Sequence, residues 1–297
     1  HNVQMIPFFI FYSMFGFQRI GDLAWAAGDS RARGFLIGGT SGRTTLNGEG
    51  LQHEDGHSHV LSQTIPNCVS YDPAYAYELA VIIREGLRRM VGEQEDVFYY
   101  LTVMNENYRH PPMPEGAEEG ILKGMHRVRE ADGAKVRLLG SGTILREVEA
   151  AADLLAQDFD IPAEVWSVTS YTELRREGLA IEREARLHPD AERRTPWVEK
   201  CLGGSTAPVV AASDYMKAMP DGIRAWVPGR FEVLGTDGYG RSDYRRHLRR
   251  FFEVDRHHVV VAALHALAKE GEVDVAAVKE AIAKYDIDPD APDPVTV

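Results

Sequence analysis

The stretch Asn67–Val103, NCVSYDPAYAYELAVIIREGLRRMVGEQEDVFYYLTV, holds the repeating unit of the fold. Asn67–Tyr71 is a short run that predicts a strand. Asp72 or Pro73 then opens a helix to about Met90, as N-cap and first-turn preferences favour. Val97–Val103 is β-branched and aromatic throughout and predicts the next strand. Strands apolar on both faces, alternating with helices, belong to a parallel sheet covered on both sides.

The pattern extends in both directions. Upstream, Gly34–Gly39 is a short apolar run between glycines and reads as a buried strand. Ile6–Ala27, rich in aromatics, reads as a buried amphipathic helix ended by Gly28-Asp29-Ser30, with Tyr12 and Phe15 as core residues on the simplest view. Its apolar part, Met5–Phe17, has no basic flank and is too short to span a bilayer. Downstream, His110-Pro111-Pro112-Met113-Pro114-Glu115-Gly116 disfavours helix and central strand alike and marks a domain boundary. Beyond it come strands at Val136–Leu139, Glu164–Thr169, Val209–Ala212 and Phe231–Leu234. Helices follow Gly140-Ser141-Gly142 and Thr169, and three more close the chain at Asp243–Phe252, His257–Lys269 and Val275–Tyr285. The expected fold class is α/β, with two three-layer α/β/α domains, 1–114 and 115–297, on mostly parallel sheets.

At 297 residues with ordinary hydrophobic and charged fractions, the chain can bury two cores. A formal charge of -12 argues against a non-specific binder of nucleic acid or anionic membrane. Cys68 and Cys201 stand far apart in no metal spacing, so a reduced, cytoplasmic setting is the default. The sequence begins at His1 rather than Met, which suggests a missing upstream part.

Thr44–His59, TTLNGEGLQHEDGHSH, concentrates the chemistry: three histidines, two glutamates and an aspartate among three glycines. Ionisable groups packed so densely are solvated, paired or used. His53-Glu54-Asp55-Gly56-His57 matches HExxH, a zinc metallohydrolase signature, but that motif needs a helix and the glycines oppose one. A non-catalytic assembly or dimerisation module is the second alternative. Two glycine-bearing turns carry weaker signals. Thr40-Ser41-Gly42-Arg43-Thr44 has the wrong spacing for a phosphate loop. Gly140-Ser141-Gly142 could cradle a phosphate, although a tight strand-to-helix turn explains it better. In Gly235–Asp243, Arg241 beside Asp237 and Asp243 reads as a loop brace ahead of a helix capped by Ser242 or Asp243.

Tyr12–Arg19, Gly34–His59 and Thr236–Asp243 together closely resemble the homodimeric pyruvate dehydrogenase E1 component. Glu54–His59 is more distantly similar to the EDGPTH segment of transketolases. The resemblance implies the C-terminal third of a thiamine diphosphate enzyme: part of the pyrimidine-binding domain to about Pro114, then a transketolase-type C-terminal domain. It implies that diphosphate and Mg2+ are held by an N-terminal domain outside this chain, with no metal ligands here, so that the chain alone is inactive. Phe15 would stack on the cofactor's pyrimidine, with Tyr12 beside it lending a hydroxyl to the substrate pocket. Glu49 and His53 would face the substrate, His53 moving protons and Glu49 orienting it. Asp55, His57 and His59 would stand behind them, bracing the loop. The implied substrate is pyruvate, the implied partners are the lipoyl domain of E2 and a second copy of the chain, and the Ile6 helix is the expected dimer surface.

Overall fold

The computed structural model describes residues 4–297; the expected domain start at His1 lies outside the described residues. The first sheet is built from β1 (Phe8–Tyr12), β2 (Phe35–Gly39), β3 (Cys68–Tyr71) and β4 (Phe98–Val103), in the order β1-β2-β4-β3, all parallel. With it go α1 (Gly16–Asp29), α2 (Ser58–Ser62) and α3 (Ala76–Leu87). Side chains along β4 alternate between two cores. Phe98 and Tyr100 pack with Phe17 and Ala24 of α1, whereas Tyr99 and Leu101 pack with Val81 and Ile82 of α3. That alternation is why the strand sequence is apolar without a break.

The expected helix Ile6–Ala27 is corrected at its start. Phe8-Phe9-Ile10-Phe11-Tyr12 is a strand paired in register with β2, from Phe8↔Phe35 to Tyr12↔Gly39. Five consecutive aromatic and β-branched residues favour the extended pairing that β2 offers, and the helix begins only at Gly16. α3 likewise opens at Ala76, later than Asp72 or Pro73. The Glu78 carboxylate accepts hydrogen bonds from Ala74 N (2.6 Å) and Tyr75 N (3.0 Å), satisfying donors at the helix start. Asp72 is left free for another task.

After an irregular stretch come α4 (Glu118–Lys123), β5 (Met125–Arg129), β6 (Val136–Gly140), α5 (Leu145–Phe159), β7 (Ala163–Val168) and α6 (Tyr171–Leu187). Then follow α7 (Trp197–Leu202), β8 (Val209–Ala212), α8 (Ala218–Asp221) and β9 (Phe231–Leu234). Helices α9 (Arg245–Phe251), α10 (Arg256–Lys269) and α11 (Val275–Lys284) close the chain. The second sheet runs β5-β7-β6-β8-β9, parallel except for β5 on the edge. Both domains are α/β, as the alternation predicts. Ala117 and Ile121 pack in the first sheet's core although they follow Pro114.

The two sheets meet by their carboxyl ends. Just past β3, Asp72 N donates to Thr169 O (2.8 Å), just past β7, and Asp72 O accepts from Gly142 N (3.1 Å), just past β6. Gly56 O accepts from Met216 N at 2.8 Å. The loop after β2 is therefore held where parallel α/β sheets ordinarily place their ligands, outside the carboxyl ends of the strands.

Candidate active site

Tyr12 ends β1, and Phe15 follows in the one-turn Ser13–Phe15. His53 ends a second short turn, Leu51–His53. The fold brings these distant segments together. The His53 ring centre lies 5.3 Å from that of Tyr12 and 4.9 Å from that of Phe15, and the two aromatic rings are 6.0 Å apart, edge to face. Glu49 Oε2 is 3.9 Å from His53 Nδ1, which also lies 3.3 Å from Gly50 O. The Arg19 guanidinium covers Phe15 at 3.9 Å. Phe15, Glu49 and His53 are half-buried and Tyr12 is exposed, so the cluster is open to a ligand. Chemically it is an imidazole beside a carboxylate, walled by two aromatic rings.

The residues expected behind this cluster divide. Asp55 Oδ1 accepts from His57 N (3.0 Å) and Ser58 N (2.9 Å) and so anchors the start of α2. His59 is fully buried, edge to face with Tyr215 and 2.9 Å from Thr102 Oγ1 through Nε2. Burial lowers its pKa to about 4, so this imidazole is neutral. His57 is half-buried and its carbonyl accepts from Val60 N at 3.0 Å. No ring contact among the described residues joins it to Tyr12, Phe15 or His53. Glu54, between them, has extended backbone, so His53 and His57 share no helical face. Among the described residues no group of three or more His, Cys, Asp or Glu side chains could hold a metal ion.

Several residues that shape the loop carry no signal in the sequence. Asp214, fully enclosed, accepts from Thr44 N (2.8 Å), Thr44 Oγ1 (2.7 Å) and Thr45 Oγ1 (2.5 Å). Burial raises its pKa, and those hydrogen bonds oppose the rise. Arg43 is buried and donates to the carbonyls of Thr236 (2.8 Å) and Gly238, so the phosphate-loop look-alike is a domain tie. The Gly140–Gly142 turn is used similarly, with Gly142 N donating to Asp72 O at 3.1 Å. Arg241 pairs with neither Asp237 nor Asp243: its guanidinium lies 4.9 Å over the Phe251 ring. Neither Ser242 nor Asp243 caps α9, whose N-cap position is Tyr244.

The family model for the pyruvate dehydrogenase E1 component middle domain matches residues 1–111. That for the transketolase-like C-terminal domain matches residues 124–255. The pyruvate dehydrogenase E1 component of Pseudomonas aeruginosa is 67% identical over 99% of this chain and 34% of its own length. The chain belongs to the pyruvate dehydrogenase E1 family. The Escherichia coli K12 member is 60% identical over 99% of this chain and 33% of its own length, so the chain spans about a third of the E1 components it matches. Transketolase from Leishmania mexicana superposes with a TM-score of 0.68 at 17% identity, covering 89% of this chain and 34% of that one. At that identity the likeness speaks for the fold alone, a transketolase-like pair of α/β domains.

Proposed function

We propose that the intact polypeptide is the E1 component of a pyruvate dehydrogenase complex. It decarboxylates pyruvate oxidatively with thiamine diphosphate and passes the acetyl group to the lipoyl group of the dihydrolipoyl acetyltransferase E2. The observation that carries this reading is the convergence of Tyr12, Phe15, Glu49 and His53 at one carboxyl-end cluster, in a chain of this family.

The cluster fits a flat heteroaromatic ring. Phe15 offers a half-buried aromatic surface backed by Arg19, with the Tyr12 and His53 rings beside it. Bound there, thiamine diphosphate supplies the electron sink for carbon–carbon cleavage. Phe15 orients the ring. His53 gives and takes the proton at the reacting oxygen, and Glu49, 3.9 Å from Nδ1, favours the imidazole orientation that does so. Tyr12 adds a hydroxyl to the substrate pocket. Asp55, His57 and His59 hold the loop from behind. We assign Mg2+ and the diphosphate to the N-terminal part of the intact enzyme.

The remaining organisation belongs to the same proposal. The pyrimidine-binding part ends near Pro114, and 115–297 forms the transketolase-type domain. The partner is a second copy of the polypeptide, seated on the exposed apolar residues of β1 and α1, among them Phe9, Ile10, Leu23 and Trp25. The complex works in the cytoplasm; no helix among the described residues is long and apolar enough to cross a membrane. The deciding experiment is the intact mass of the source protein together with a thiamine diphosphate-dependent pyruvate decarboxylation assay. A mass about three times this chain, with activity, supports the proposal. An active sample of this chain's own mass overturns the assignment of diphosphate and metal to another domain, and an inactive intact protein overturns the function.

A further inference from the structure

The second sheet supplies none of the four side chains at the candidate centre, yet the loop bearing two of them rests on it. Glu54, next to His53, is completely buried, and its Oε2 accepts a hydrogen bond from Arg241 N at 2.8 Å. Arg241 belongs to a strap, Thr236–Asp243, that follows β9. The approach is so close that a Cβ on Gly240 would sit 2.3 Å from Leu51 O and 3.0 Å from Glu54 Cβ. On the other side of His53, Gly48 N donates to Asp243 O (3.4 Å) and the Ser242 hydroxyl donates to Glu49 O. The strap therefore grips the loop both before and after His53.

The grip is needed because the His53 turn is too short to hold itself. Its backbone hydrogen bonds are His53 N to Gly50 O (2.9 Å) and Glu54 N to Leu51 O (3.3 Å), and single turns of this kind are marginal without tertiary support. A carboxyl group buried this deeply is costly, and among the described residues the Arg241 amide is its only hydrogen-bond partner, because Oε1 has none. We infer that Glu54 is a positioning residue: through the Arg241 amide it fixes the Glu49–His53 turn against the second domain. That domain then takes part in catalysis without contributing a catalytic side chain. The inference rests on the proposed role of His53.

The test compares Glu54→Ala with Glu54→Gln in the intact polypeptide; glutamine keeps an acceptor for the Arg241 amide. Misplacing a reacting group by about 1 Å can cost on the order of a hundredfold. Glu54→Ala should therefore lower kcat for pyruvate by about tenfold or more, while Glu54→Gln stays within about threefold of wild type. Amide hydrogen exchange at Gly50–Glu54 should quicken in the alanine variant and not in the glutamine variant. Wild-type kcat or unchanged exchange in Glu54→Ala overturns the inference, as does equal damage from both substitutions. If Glu54→Ala does not fold, Gly240→Ala, which pushes the strap off Leu51, is read by the same criteria. The exchange measurement decides the brace even if the wild-type protein does not turn over pyruvate. That last result would defeat the functional reading alone.

Discussion

His59 Nε2 stands 2.9 Å from Thr102 Oγ1, and in that pair the histidine is the donor. The Thr102 hydroxyl gives its one proton to Asp72 Oδ1 at 2.6 Å, so it can only accept from the ring. The chain His59–Thr102–Asp72 thus links α2, β4 and the residue that bonds to Thr169 and Gly142 of the second domain. Replacing Thr102 with valine would leave a buried imidazole N–H and a buried carboxyl oxygen short of partners. The expected loss is on the order of 2–4 kcal/mol of unfolding free energy, against about 1 kcal/mol for Thr102→Ser, which keeps the hydroxyl. Denaturant unfolding of the two variants checks the difference; a loss of about 1 kcal/mol or less in Thr102→Val would mean that the hydroxyl relay contributes little.

The same chain gives a pH prediction with two opposite signs. Burial lowers the pKa of His59 from 6.5 to about 4, so its contribution to stability is complete above 6.5 and declines as pH falls towards 4. Burial raises that of Asp72 from 3.8 to about 7, so its contribution is complete below 3.8 and declines as pH rises through 7. Between pH 4 and 6.5 the slopes oppose each other in the wild type. Asp72→Asn should expose the histidine term, with stability falling more steeply than wild type on acidification. His59→Gln should expose the aspartate term, with stability falling more steeply as pH rises. Unfolding free energies at pH 4.5, 5.5 and 6.5, chosen inside the window those shifts define, measure both slopes.

His53 and Glu49 should separate in kinetics. His53 is placed as the proton-transfer group, and positioned acid–base groups contribute about 10²–10⁴-fold. In the intact enzyme, His53→Ala should lower pyruvate-dependent acetyl transfer by at least about a hundredfold. Glu49→Gln, which leaves the imidazole in place, should cost about tenfold or less. The half-buried position of His53 predicts little loss of stability, so thermal unfolding should stay close to wild type. Near-wild-type transfer by His53→Ala would remove the mechanistic role proposed for it.

Glu78 ties α3 to the second domain. Fully buried on α3, it accepts from Ala74 N, Tyr75 N and Ser167 Oγ (2.6 Å) and lies 2.7 Å from His126 Nε2 of β5. Glu78→Ala would strip the helix start of its acceptor and strand His126 in the interior. Removing one partner of a buried pair typically costs about 3–5 kcal/mol. A drop in the denaturant midpoint with an unchanged slope is the expected signature. A loss under about 1 kcal/mol would mean that water replaces the carboxylate.

How much of this was legible differs from element to element. β3, α3 and β4 follow from a sequence that is apolar on both faces and interrupted at the right places, so the parallel sheet could be read directly. The antiparallel edge strand β5 could not, because Met125-His126-Arg127-Val128-Arg129 owes its pairing to β7 and shows no clean alternation. Phe8–Tyr12 reads as helix in the sequence for the same reason: aromatic residues suit either state, and the neighbouring β2 decides for the strand. Among site residues, the density of ionisable groups marked the loop, and resemblance singled out Tyr12, Phe15, Glu49 and His53.

Local features of the sequence, its periodicity, turn residues and composition, were enough for the α/β class and for finding the dense run of ionisable groups after β2. Tertiary structure alone decided which ionisable groups stay accessible and which are consumed inside. His59 and Asp55 share the loop with His53, yet one is a neutral core imidazole and the other anchors α2. Asp214, Arg43 and Glu54 acquired their roles only when the carboxyl ends of the two sheets met. Desolvation and partner geometry set the fate of a charged group, and both depend on residues far away in the chain.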